Sequence, residues 1–213
     1  MADRKFGTCF FERYAKVTLE TFLGERYYGL VNMDRPDLQT TDHSLGIEVT
    51  RAMEENRNVA DSLLKEMAGI ERPSHDRDDY EAIIGSGYAY GLQDGRFIGS
   101  REYDYWRLAH PLKRIIESKV SKVGFGFYGQ FSEYGLYIFC KDILPEEEIS
   151  LTLDYIMELQ MNLDIRYSTL YLSLVDSLYV CDLTIHDPVR REHAISRYRI
   201  SRQQCRKFFT MAL

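Results

Sequence analysis

Helical and extended patterns alternate along this chain, which predicts an α/β fold with a mixed central β-sheet flanked by helices. Three observations carry that expectation. Apolar residues recur at helical spacing in several windows, and short apolar runs bounded by turn residues separate them. At 213 residues, 45% hydrophobic and 28% charged, the chain is also long and apolar enough for one sizeable core. A single domain over 1–213 is expected, with a glycine-rich, acidic insertion at about 71–105 and a basic C-terminal segment over 190–213.

Residues 9–23 predict the first helix: Phe10, Tyr14 and Val17 share a face, widened by Phe11 and Phe22. Glu12, Lys16 and Glu20 form a charged stripe at spacing four, and Gly24 is a stop signal. Tyr28–Val31 and Leu45–Thr50 are short apolar runs separated by a polar stretch, 32–44, that contains Pro36. In the second run Ile47 and Val49 share one side, and Glu48 and Thr50 the other. A helix is expected over 56–67, closed by Gly69.

The stretch 71–105 opens on Asp76, Asp78, Asp79 and Glu81, and contains Gly85, Gly87, Gly91, Gly95 and Gly99. Asp94-Gly95 is a hairpin signal, while the glycine spacing matches no dinucleotide or phosphate-loop pattern. From Trp106 to Lys122 a helix returns, with Leu108, Leu112, Ile115, Ile116 and Val120 on one side and Lys113, Lys119 and Lys122 on the other. Tyr134–Cys140 predicts a strand, and Pro145–Met161 a helix whose first turn holds Glu146, Glu147 and Glu148, where the helix dipole favours acids. Strands are expected near 169–174 and 177–183, and Ser201 is placed to cap a last helix, Arg202–Ala212.

Composition excludes several classes. The four cysteines, Cys9, Cys140, Cys181 and Cys205, include no Cys-x-x-Cys knuckle; Cys140 and Cys181 lie in apolar runs and read as core residues of a reducing compartment. The first residues lack a signal-peptide pattern, and no run approaches the length a membrane helix needs, so a cytoplasmic protein is expected. Net charge is −6, against a generic nucleic-acid coat. The charge is uneven, however: from Arg190 onward seven basic residues stand against Glu192 alone, so this segment carries +6 and leaves −12 on the rest. Arg197, Arg199, Arg202, Arg206 and Lys207 are its candidates for phosphate contact with DNA or RNA.

Pro36-Asp37 stands eleven residues ahead of Glu48. A carboxylate at the end of an extended segment and one on the adjoining strand can converge on one divalent ion, and Mg or Mn accepts such hard oxygen ligands with waters and a phosphate. A metal held so polarises a phosphodiester and acidifies water, as DNA or RNA hydrolysis requires. The five histidines lack metal-binding spacing, and His186-Asp187 has no nucleophile turn to serve.

Helix, Pro-Asp, a Leu-Gly-Ile-Glu-Val strand and a further helix together resemble the PD-(D/E)XK, or restriction-endonuclease-like, nucleases. The resemblance covers roughly the first 70 residues by motif and the remainder by compatible element order. It implies a restriction-endonuclease-like sheet, with Asp37 and Glu48 as metal ligands, the Val49 main-chain carbonyl as a third, and a first-helix glutamate, Glu20 in preference to Glu12, as a fourth. The family's lysine is replaced here by Thr50, which supplies no positive charge beside an attacking water. Lys65, on the expected second helix, is the candidate replacement. Two functions follow: a metal-dependent nuclease, commonly a dimer where both strands are cut, or a catalytically inactive nuclease-fold module that binds a protein or nucleic-acid partner.

Overall fold

The fold is seen in a computed structural model, which describes residues 8–52, 92–93, 96–97, 100–140, 144–185 and 193–212. Two compact units divide the chain, one of Met1–Arg51 with Glu117–Leu213 and one of Ala52–Ile116.

In the first unit, helix α1 (Thr8–Leu23) buries Phe10, Tyr14, Ala15 and Leu19, a face at helical spacing. It stops at Gly24, whose φ of 78° suits a residue without a Cβ and whose amide bonds back to Glu20 O. Three antiparallel strands follow: β1 (Leu30–Asn32), β2 (Leu38–Thr40) and β3 (Leu45–Ala52). Strand β2 falls inside the stretch taken from sequence as a polar connection. It is three residues long, too short to show a period, yet Leu38 is fully buried and the Gln39 amide is anchored on Pro36 O at 2.8 Å.

In the second unit, β4 (Leu92–Gln93) and β5 (Arg96–Phe97) pair antiparallel around Asp94-Gly95, as the turn signal predicts. The helix expected over 56–67 and most of the 71–105 stretch lie outside the described residues. Helix α2 (Ser100–Gly124) begins six residues ahead of the expected start, and from Glu117 onward it belongs to the first unit.

The first unit continues with β6 (Glu133–Cys140), helix α3 (Glu146–Leu159) and β7 (Thr169–Ser173). β6 and β7 pair in parallel with Leu136 opposite Leu170, and α3 is the crossover that parallel neighbours require. Strands β8 (Ser177–Asp182) and β9 (Ile195–Arg199) add antiparallel, completing a seven-stranded mixed sheet of order β1-β2-β3-β6-β7-β8-β9. β9 was not expected, because its alternating arginines hide the strand pattern. On an edge those same charges suit a strand whose outer side must not pair. Helix α4 (Arg202–Ala212) starts where predicted: Ser201 Oγ accepts from Gln204 N, and Gln204 Oε1 accepts from Ser201 N, a capping box.

One core lies between the sheet and the α1–α4 pair, where Leu19 and Phe208 meet Ile47, Tyr137 and Tyr171. The buried tyrosines satisfy their hydroxyls in pairs, Tyr137 with Thr18 at 2.8 Å and Tyr171 with Tyr27 at 2.9 Å. Gly135 lets β6 pass between Ile47 and Tyr171: a Cβ there would meet Tyr171 at 2.9 Å and Ile47 at 3.2 Å. Among the described residues no helix is long and apolar enough to cross a membrane.

Candidate functional site

The candidate site grows from the β2–β3 hairpin. Leu38 pairs with Ile47 and Gln39 with Gly46, so extending the register by one residue sets Asp37 opposite Glu48. Cross-strand neighbours stand about 5 Å apart, which makes the two carboxylates a like-charge pair on one face. That face is the opposite one to Leu38 and Ile47, which point into the α1–α4 core. β2 has ended at this point, and Asp37 Oδ2 fills the gap in the ladder by accepting the Val49 N–H at 2.7 Å. In a strand the carbonyl of a residue points to the same side as its N–H, so the Val49 carbonyl is directed toward Asp37 as well.

Glu48 is an acid in a central strand and only 8% exposed. Its partner is Lys119, in the last turns of α2, whose Nζ lies 2.5 Å from Glu48 Oε1. Both side chains are largely buried, so each charge has given up its water and removing either partner would leave the other uncompensated. Burial raises the Asp37 carboxyl to about 7, and the neighbouring Glu48 adds to the rise. The Val49 amide pulls the other way, Glu12 contributes a further increase, and Lys119 a further decrease. Burial first, and the neighbouring Glu48 carboxylate second, therefore favour the neutral acid at Asp37, while Lys119 is paired with Glu48.

Tyr128 closes the inner side. Its hydroxyl is buried and makes no hydrogen bond of good geometry, but Glu48 and the Tyr167 hydroxyl are its polar neighbours. Burial and the neighbouring Glu48 both raise its pKa, which places the phenol beside that carboxylate. Tyr167, whose hydroxyl donates to Lys119 O at 3.3 Å, stands next to it.

Of the residues singled out from sequence, Asp37, Glu48 and the Val49 backbone come together. Thr50 follows on the same face as Glu48, half-buried. Arg51 points the other way, its guanidinium 4.7 Å from the Phe11 ring centroid on α1. Lys65 and His186-Asp187 lie outside the described residues. On α1 the acid whose field reaches Asp37 is Glu12, itself held by the Asn32 amide, whereas Glu20 pairs with Lys16 at 3.8 Å, two turns further along. Sequence reasoning set Lys119 on the polar side of its helix without assigning it to the site. Its only signal was membership of the stripe with Lys113 and Lys122.

The basic C-terminal residues are elsewhere. β9 is four strands from β3, about 19 Å at sheet spacing, and α4 packs on the α1 face through Phe208 and Ala212. Arg197 is already engaged with Glu146 at 3.0 Å and lies over the Tyr179 ring. A cleft of about 500 Å³, lined by residues such as Phe131, Asp164 and Arg166, includes neither carboxylate in its lining.

The donor set suits a hard divalent cation held weakly. Asp37 and Glu48 could supply carboxylate oxygens, and burial, the main cause of the raised Asp37 pKa, means that a cation there would have to displace a proton. Among the described residues no group of three His, Cys, Asp or Glu side chains converges, so waters and substrate oxygens would have to complete any shell. Comparison with family models, with curated proteins and with solved structures finds no match for this chain.

Proposed function

We propose that this chain is a divergent nuclease of the PD-(D/E)XK type that hydrolyses phosphodiesters of DNA or RNA with Mg or Mn. The observation that carries this reading is the Lys119 ammonium 2.5 Å from Glu48, which brings to the site the cation that Thr50 lacks. Asp37, Glu48 and the Val49 carbonyl would hold the metal. A metal bound there supplies Lewis-acid polarisation of the phosphate and acidifies water. Lys119 stabilises charge that develops on the phosphoryl oxygens, and its link to Glu48 fixes where that charge must sit. Tyr128, buried beside Glu48, would be a further donor to a phosphate or water oxygen.

A second reading, a non-catalytic module of the same fold, is favoured by the carboxylate count, which among the described residues stops at two where a stronger metal site would gather three. Calorimetric manganese titration separates the two. Wild type is expected to bind and Asp37→Asn/Glu48→Gln to bind none, with circular dichroism unchanged between them. Cleavage of a DNA and RNA panel should then be lost in that variant. In Lys119→Gln it should fall by about 10²–10³, the usual size of one lost electrostatic stabiliser. Equal cleavage by the double variant and wild type would sink the nuclease reading.

A further inference from the structure

The turn after α2 exposes Phe125 and Phe127 to solvent, 87% and 45%, while Tyr128 between Phe127 and Gly129 is buried beside Glu48. Its backbone is fixed. Gly126 has φ +69°, Phe127 N donates to Lys122 O at 3.1 Å, and Gly126 N donates to Val123 O at 2.9 Å. That pair of bonds is a Schellman motif, with Phe127 in the position that normally packs an apolar side chain onto the residue five before it. Here that residue is Lys122, and its Nζ lies 5.3 Å from the Phe127 centroid. Arg35 reaches the same ring, its Cζ 4.9 Å from the centroid, while keeping a loose contact with Asp34 at 3.6 Å.

Two cations are therefore gathered on one ring, and they come from the segments that supply the site. Arg35 is two residues before Asp37, and Lys122 is three residues, one helical turn, after Lys119. Phe125 lies two residues before Phe127 in the same turn and is 87% exposed. Exposed aromatic faces interleaved with cations are what single-stranded nucleic acid uses, because every base has a face to stack while paired bases keep theirs inside the duplex.

We infer that the 124–129 turn is a stacking platform that binds single-stranded nucleic acid, with one base on Phe125 and the adjoining phosphates on Arg35 and Lys122. The direction of the strand toward Asp37 rests on the nuclease reading; the binding does not.

Fluorescence anisotropy tests this in EDTA, so that neither metal nor cleavage enters. Labelled oligothymidylate, its RNA counterpart and a duplex of the same length serve as probes. Single strands should bind at least tenfold more tightly than duplex, and the DNA and RNA arms show which sugar is preferred. Phe125→Ala should weaken single-strand binding by about tenfold, the lower range for loss of one stacked base, and Phe125→Trp should restore it. Duplex bound as tightly as single strand, or Phe125→Ala bound like wild type, overturns the platform. Single-strand binding retained by Asp37→Asn/Glu48→Gln supports the platform even if manganese titration has ruled out the nuclease. Manganese binding without single-strand preference removes the platform and leaves the nuclease reading intact.

Discussion

At the scale of the residue, Asp37 is where stability and function oppose each other. Its carboxyl is raised to about 7, far above the unfolded value, so between those limits the folded protein holds a proton that the unfolded chain has lost. Stability contributed at low pH therefore declines as pH rises through this window and is gone above about 7. Asp37→Asn removes the penalty while an amide oxygen can still accept from Val49 N. We expect that variant to be more stable than wild type above pH 7, by on the order of 1 kcal/mol once solvent screening of a half-exposed group is allowed for, and to match it near pH 4. Urea titrations at the two pH values check this; a variant less stable at both would refute the like-charge account. The same shift makes metal affinity pH-dependent, because a cation must displace the proton. Apparent manganese affinity should fall about tenfold per pH unit below 7, measured by calorimetry in matched buffers. Asp37 and Glu48 were legible as a pair from their spacing. Lys119 was not, since 71 residues separate it from Glu48 and no local pattern encodes that meeting.

At the scale of the element, the hairpin that positions the carboxylates depends on a missing side chain. A Cβ on Gly46 would come within 2.7 Å of Pro36 Cγ and 3.0 Å of the Phe131 ring. Pro36 immediately precedes Asp37, so displacing it moves the ligand. Gly46→Ala should cost about 1–3 kcal/mol, as overpacking in a tight interior does, and should weaken manganese binding in the same variant. Denaturant midpoints and calorimetry read the two effects; a variant as stable as wild type with unchanged binding would show that the hairpin has slack. Sequence patterns located the four described α-helices and the long strands, missing the start of α2 by six residues, because those elements repeat apolar residues over several turns or pleats. They did not reveal β2, which is three residues long, or β9, whose arginines interrupt the alternation.

At the scale of the whole molecule, burial separates the thiols by reactivity, and two of them are buried as their apolar runs predict. Cys140 and Cys181 lie inside the sheet, and burial pushes the Cys181 thiol up to about 12, whereas Cys205 on α4 is half-buried. A disulfide reagent at pH 8 should modify Cys205 in the folded protein and leave Cys140 and Cys181 untouched until denaturant unfolds the sheet. Early modification of Cys181 would mean that β8 opens locally.

By itself the sequence determined the α/β class, most of the helices and strands, the burial of two thiols and the candidate carboxylate pair. Each follows from local periodicity, from turn chemistry or from two segments joined by a short hairpin. The tertiary structure alone decided which cation stands at Glu48, where the basic C-terminal segment lies, and that one turn shows two phenylalanines to water while hiding a tyrosine. Those depend on α2 returning to β3 and on a strand order that puts β9 at the far edge, and such contacts arise from sheet topology and packing rather than from any neighbouring residues in the chain.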